Sequence, residues 1–323
     1  MQALPPGYHA CVDIGGTKVA VSLADAQSAA TRTLHARIAE PTAKEGTNDA
    51  LAQQILRLID ASLAQMGAQR GQVHSVGISS CGPFVLNQGM VELAAPNICG
   101  GLAGKARGLP NEWMSAILQA PIAAFYPNVR VENDCIGALE AERQWGALQG
   151  INNCAYVTWS TGIGMGLCVD GHVLRGKNGN AGHAGHMFVS DNNDALCGCG
   201  NVGDLEGLVA GNALERRFGQ DAATLFIAAR AGNMPAKSQI ESVSRDMGRA
   251  LYNLIVTLDL ERISLGGSVF WHNQDMLVPL LQREITGKLP SLTDRCQLVP
   301  AGLGLQVGDF GALALTEAAK SPA

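Results

Sequence analysis

The 323-residue chain has little charge, few aromatics and no long apolar run. Charged residues make up 16% and hydrophobic ones 47%, a balance that excludes a disordered chain. Positive charge is not in excess: Lys and Arg number 23 against 28 Asp and Glu, giving −5, so no basic surface for nucleic acid is expected. No apolar run approaches the roughly 20 residues that span a bilayer, so no membrane partner is expected. The opening MQALPPGYHACVDIGG lacks the charged and apolar regions of a secretory signal. The nine cysteines are an odd number, and only Cys197 and Cys199 are closely paired, which argues against a disulfide framework and for a reducing cytoplasm. Cys11, Cys135, Cys154 and Cys168 lie in apolar or strand-like contexts and read as small buried hydrophobes. Two phosphate-binding signatures are also missing: the G-x-x-x-x-G-K-[ST] loop and a G-x-G-x-x-G turn opening a helix.

What is present is glycine, 39 residues gathered into short motifs rather than a repeat. Residues 9–25 (HACVDIGGTKVAVSLAD) read as a hairpin with a tight glycine connection. Residues 153–174 repeat that pattern of strand, small-residue turn and strand. Apolar residues at helical spacing predict helices over 49–67, 135–147 and 236–259, and a Gly-rich turn at 303 feeds a last apolar helix. Strands are expected at 73–80, 89–97, 128–134 and 262–269. The length favours two domains of about 150 residues. The fold class is α/β, and the repeated unit points to two related halves with a cleft between them. We expect an N-terminal lobe over 1–127, with a C-terminal helix at about 306–323 packing back on it, and a C-terminal lobe over 128–305. No Pro/Ser-rich tether separates them.

Four stretches carry chemistry. In DIGGTK (13–18), Gly15 and Gly16 let backbone N–H groups approach phosphate oxygens. Thr17 adds a hydroxyl and Lys18 a charge, and Asp13 is suited to Mg2+ through water; alone, the stretch is also an ordinary hairpin turn. STGIGMG (160–166) is a second donor-rich turn, with Thr161 and Gly162 at its tip, and two such turns are better evidence for a polyphosphate clamp than one. END (132–134) puts a carboxylate at the end of a strand opening a helix, the place for a base that takes a proton from a hydroxyl. Asp134 reads equally well as a helix N-cap. Finally, His186, Cys197 and Cys199 are zinc-type ligands, with Asp204 close enough in sequence to be a fourth; the alternative is two buried thiols and unrelated histidines.

Taken together, these motifs resemble those of the ROK family of sugar kinases, within the two-lobed actin-like ATPase (ribonuclease H-like) group. DIGGTK and STGIGMG resemble its two phosphate motifs, GISSCGPFV (77–85) and APN (95–97) its sugar-side loops, and END its catalytic-base motif. AGHAGH and CGCGNVGDLEG resemble its E-x-G-H and C-x-C-G-x-x-G-C-x-E signatures, and LGGSV and LGLQVGDFGALAL its adenosine-side segments. The resemblance implies phosphoryl transfer from ATP–Mg2+ to a hexose, resting on positioning and charge neutralisation. Asp134 would be the general base. Asn97, Asn133, His183 and Glu206 would hydrogen-bond the sugar, with His186 at both sugar and zinc. Gly15, Gly16, Thr17, Thr161 and Gly162 would hold phosphates, and Gly266 and Gly267 would lie near adenosine. Hinge closure around the sugar and a homodimer are implied as well.

Two positions depart from the family pattern. His183 stands where relatives mostly carry Glu; bacterial N-acetylmannosamine kinases share A-G-H-x-G-H, which points to N-acetylmannosamine ahead of glucose, fructose or N-acetylglucosamine. Asp204 replaces the third zinc cysteine. Either it completes a site of two cysteines, one histidine and one aspartate, or hydrogen bonds hold the loop without metal. Some relatives are sugar-responsive regulators with a helix-turn-helix domain, for which a first phosphate strand beginning by residue 9 leaves no room. Retention of Asp13, Thr17, Asp134 and Glu206 argues against an inactive homologue.

Overall fold

A computed structural model of the chain describes residues 7–103, 108–191 and 195–316. Strand formation follows the apolar runs. β1 (Tyr8–Ile14) and β2 (Lys18–Ala24) form the first hairpin, β3 (His35–Pro41) pairs with β2, and β4 (Val73–Ser80) lies parallel to β1. A small antiparallel sheet follows, of β5 (Phe84–Asn87), β6 (Met90–Leu93) and β7 (Ala116–Ile117). β8 (Val129–Asn133) then returns parallel to β4, completing the order β3-β2-β1-β4-β8. β1 and β4 are buried almost throughout, as expected of central strands covered on both faces. The helix Ala50–Gln65 buries Leu51, Ile55, Leu58 and Ile59, one helical face, in the same core as Val12, Val21, Val76 and Ile78.

The second sheet repeats this plan. β9 (Cys154–Trp159) and β10 (Ile163–Val169) form a hairpin, and β11 (His172–Val173) pairs with β10. β12 (Arg262–Gly266) and β13 (Gln297–Pro300) follow in parallel, giving β11-β10-β9-β12-β13. Position for position, the order and the parallel or antiparallel sense match those of the first sheet. The long helix Met234–Leu258 starts at an Asn233 cap, whose Oδ1 accepts from Ala236 N, and buries Ile240, Val243, Met247, Leu251 and Leu254. Residues 262–269, expected as one strand, divide: β12 stops at Gly266, Gly267 turns with φ of 86°, and a helix runs Ser268–Trp271.

The chain forms two compact units. Among the described residues, one takes residues 7–141, Arg175–Asn180 and 308–316, and the other Glu142–Leu174 and Ala181–Val307. The first unit therefore runs past the boundary expected at residue 127, because β8 hydrogen-bonds to β4 and carries with it the next helix, Asp134–Trp145, as far as Ala141. The final helix, Val307–Ala314, lies against β4: a Cβ on Gly77 would come within 2.3 Å of Ala312 O. Residues 317–323 of the expected C-terminal helix lie outside the described residues. Among the described residues no helix is long and apolar enough to cross a membrane, and all nine cysteines are free.

Candidate functional site

In the first unit β1, β4 and β8 end side by side. The register pairs Asp13 with Ser79 and Ser80 with Asn133. Asp13, Ser80–Cys81 and Asn133–Asp134 thus share one carboxyl edge of parallel strands, where open α/β sheets hold ligands. The DIGGTK turn is closed by Gly15 N donating to Lys18 O at 2.8 Å and braced by Thr42 Oγ1 donating to Gly15 O at 2.8 Å. Thr17 and Lys18 are exposed at its tip. Gly16 lies so close to Asn97 that a Cβ would sit 2.1 Å from Asn97 Nδ2; the DIGGTK turn and the APN loop are in contact. Asn97 Oδ1 and Ser79 Oγ are buried without a hydrogen-bond partner among the described residues. A buried orphan acceptor is what a ligand hydroxyl would satisfy.

The electrostatics of this edge are strongly perturbed. Burial, then the charges of Asp134 and Asp309, push the Asp13 carboxyl up to about 7. Burial, then Asp134 and Asp13, push the Cys81 thiol up to about 12, so it is no nucleophile at neutral pH. A cation among these carboxylates would relieve the repulsion at Asp13. Asp134 is the exposed first residue of its helix. Its Oδ1 accepts from Cys135 N at 2.8 Å, and Asn133 Oδ1 accepts from the same N–H at 3.0 Å. The cap-like role and the exposed carboxylate a base needs therefore occur in one side chain.

In the second unit the STGIGMG turn closes through Ser160 N to Gly162 O at 3.1 Å. Glu206 holds this turn: its Oε2 accepts from Ile163 N at 3.0 Å and would clash with a Cβ on Gly162, while its Oε1 lies 3.3 Å from Cys197 Sγ. Thr161 is exposed. Gly266 and Gly267 pack on β9, where added Cβ atoms would meet Tyr156 Oη at 2.6 Å and the Trp159 backbone at 2.5 Å. The AGHAGH stretch runs beside β10. Cβ atoms on Gly182 and Gly185 would strike Met165 O at 2.0 Å and Ile163 O at 2.4 Å, so both glycines are required by close backbone approach. That approach sets the half-buried His183 and His186 rings 6.3 Å apart.

His186, Cys197, Cys199 and Asp204 converge, each offering one ligand atom, all within 4.8 Å of one another. Asp204 is fully buried, and its two oxygens divide the work. Oδ1 accepts from Gly207 N at 2.8 Å, capping the helix Leu205–Val209. Oδ2 lies 3.0 Å from His186 Nδ1 and 3.5 Å from Cys199 Sγ. Burial opposes ionisation of Asp204, yet hydrogen bonds from Gly207 N and His186 outweigh it and hold the carboxyl below its usual range. Two thiols, an imidazole and an anionic carboxylate fit a tetrahedral Zn2+.

A model of the ROK family matches residues 9–319. The chain belongs to the ROK family. It is 29% identical to a glucokinase of Aeropyrum pernix over 84% of this chain and 88% of that one. It is 31% identical to an N-acetylmannosamine kinase of Salmonella arizonae over 80% and 82%. Its structure resembles a ROK glucokinase of Streptomyces griseus, solved with glucose and AMPPNP, with a TM-score of 0.70, 25% identity and coverage of 96% and 99%. The α/β two-lobed actin-like fold implied by the ROK resemblance is the fold of this chain. Three participants at the ROK-type carboxylate edge were not singled out by their sequence context. Cys81 and Asp309 lie inside quoted motifs, but their proximity to Asp13 depends on strand register and on a helix some 300 residues downstream. Arg37, which pairs with Asp309 at 3.1 Å, had no sequence signal.

Proposed function

We propose that this ROK-family sugar kinase transfers the γ-phosphoryl group of ATP–Mg2+ to the 6-hydroxyl of an N-acylhexosamine, with N-acetylmannosamine the first choice. The observation that carries the reading is the carboxylate edge of the first unit. It combines an exposed Asp134 with a charge-crowded Asp13 beside a glycine turn and an unpartnered Asn97 acceptor. Asp134 takes the proton of the attacking hydroxyl. Asn97, Asn133, His183, His186 and Glu206 orient the sugar. Asp13, Gly15, Gly16, Thr17, Lys18, Thr161 and Gly162 serve the phosphates and Mg2+, and Gly266 and Gly267 the adenosine. The product is the sugar 6-phosphate, a step in amino-sugar catabolism in the cytoplasm.

His183 supports the choice of sugar, because a neutral imidazole offers a donor and an acceptor where a Glu carboxylate offers only acceptors. The His186–Cys197–Cys199–Asp204 set holds a structural zinc ion that anchors the loop leading to Glu206. A homodimer belongs to the same reading, and sedimentation distinguishes it from a monomer.

The test is ADP release over a panel of N-acetylmannosamine, N-acetylglucosamine, glucose and fructose. The highest kcat/KM is expected for N-acetylmannosamine, and His183→Glu should move the ratio toward glucose. Asp134→Asn should lower kcat about 100-fold or more while sugar binding persists in calorimetry. Well-folded protein that turns over none of the four sugars would sink the reading.

A further inference from the structure

Between β11 and the AGHAGH stretch, six residues, Arg175–Asn180, belong to the first unit although the chain on both sides belongs to the second. Gly176 and Gly179 have φ of 71° and 79°, a left-handed path that other residues resist. Both ends of this strap are fastened beside the carboxylate edge. At one end Arg175 Nε donates to Glu132 Oε1 at 2.6 Å and Nη2 to Glu140 Oε1 at 3.3 Å. Arg130 Nη2 donates to the same two oxygens at 3.1 and 3.0 Å. The result is a neutral quartet in which Glu132 is 7% exposed. Glu132 and Glu140 bracket Asp134, two residues before it and six after. At the other end Asn180 Oδ1 accepts from Phe84 N and Asn180 Nδ2 donates to Phe84 O, both at 2.8 Å, an amide imitating a strand partner. Phe84 opens β5, just past the end of β4, and His183 follows Asn180 by three residues.

We propose that Arg175 and Asn180 are positioning residues for the phosphoryl acceptor. Arg175 fixes the strand end on which Asp134 stands, and Asn180 fixes the start of the chain that leads to His183. This rests on the kinase reading above. Neither residue touches phosphate or adenosine in that reading, so their loss falls on the sugar side alone. Asp at position 180 keeps the size and one acceptor but loses the donor to Phe84 O and faces that carbonyl with a negative charge.

The experiment is steady-state kinetics on the full-length wild type, Arg175→Ala, Arg175→Lys and Asn180→Asp, with the best sugar of the panel. Sugar is varied at saturating ATP and ATP at saturating sugar, and thermal midpoints are recorded. Arg175→Ala and Asn180→Asp should each lose about 10- to 100-fold in kcat/KM for sugar, the scale of a misplacement near 1 Å, with KM for ATP unchanged within about twofold. Arg175→Lys should recover part of the loss, since it keeps a cation beside Glu132. If Arg175→Ala fails to fold, the near-isosteric Asn180→Asp decides. Folded variants with wild-type kcat/KM for sugar, or with KM for ATP raised as far as kcat/KM for sugar falls, overturn the proposal alone. A wild type that phosphorylates no sugar overturns the kinase reading and this proposal with it.

Discussion

Asp13 holds a carboxyl that is buried and, beyond that, faces the carboxylates of Asp134 and Asp309, and this placement has a measurable cost. Its folded pKa, about 7, lies above the value of an unfolded Asp, so the folded chain binds this proton more tightly. Stability therefore falls as pH rises from about 4 to about 7 and levels off above that range. Asp13→Asn should remove this pH dependence and stabilise the ligand-free protein at pH 8 by about 1–3 kcal/mol, while lowering turnover. Denaturant midpoints of both proteins between pH 5 and 8 check it; parallel curves would show that Asp13 is not the group. At this scale the sequence was legible where a residue acts through its own motif. Asp13, Asp134 and His183 each stand in such a motif. Asp309 was not, because its effect on Asp13 comes through tertiary approach rather than local pattern.

Elements are joined by buried polar groups that a sequence does not advertise. Glu142, near the end of the helix Asp134–Trp145, is fully buried and accepts from Ala147 N, Gly302 N, Leu303 N and Ser264 Oγ at 2.8–3.0 Å. In a helical pattern it looks like an ordinary surface Glu, since three of its donors lie more than 120 residues away. Glu142→Ala strands four donors at once and should cost about 3–5 kcal/mol in a denaturant titration. The Asp204 loop raises a similar question of double duty. Asp204→Cys restores a softer ligand and should raise zinc affinity about 10-fold or more in a chelator competition. The same change removes the cap on Gly207 N, so the metal-free variant should be about 1 kcal/mol less stable than metal-free wild type. An unchanged zinc affinity would argue that Asp204 is a cap and no ligand. The strand and helix cores of the β1–β2 hairpin, the β9–β10 hairpin and the helices 50–65 and 234–258 were legible from periodicity. The helices Gly211–Phe218 and Gln274–Ile285 and the strands β3 and β13 carry no chemistry-bearing motif, and the motif-led reading passed over them.

At the scale of the whole molecule, the weak likeness of two glycine turns in sequence corresponds to two sheets of matching strand order. The likeness is faint because each turn holds to different residues, Gly16 to Asn97 and Gly162 to Glu206, while the strand order depends only on apolar patterning and connection length. The substrate side of the ROK assignment is less legible for the same reason: it rests on single residues such as His183 rather than on pattern.

The chain passes from one unit to the other four times, after Ala141, Leu174, Asn180 and Val307. During synthesis the first unit therefore cannot finish when its sheet has emerged. The face of β4 at Gly77 waits for the helix Val307–Ala314, made more than 220 residues later. Neither unit is a contiguous stretch of chain, so neither can be cut out as a fragment. The protein is committed to completing its first half late, with the small-residue face of β4 at Gly77 uncovered until residues 307–314 have been made.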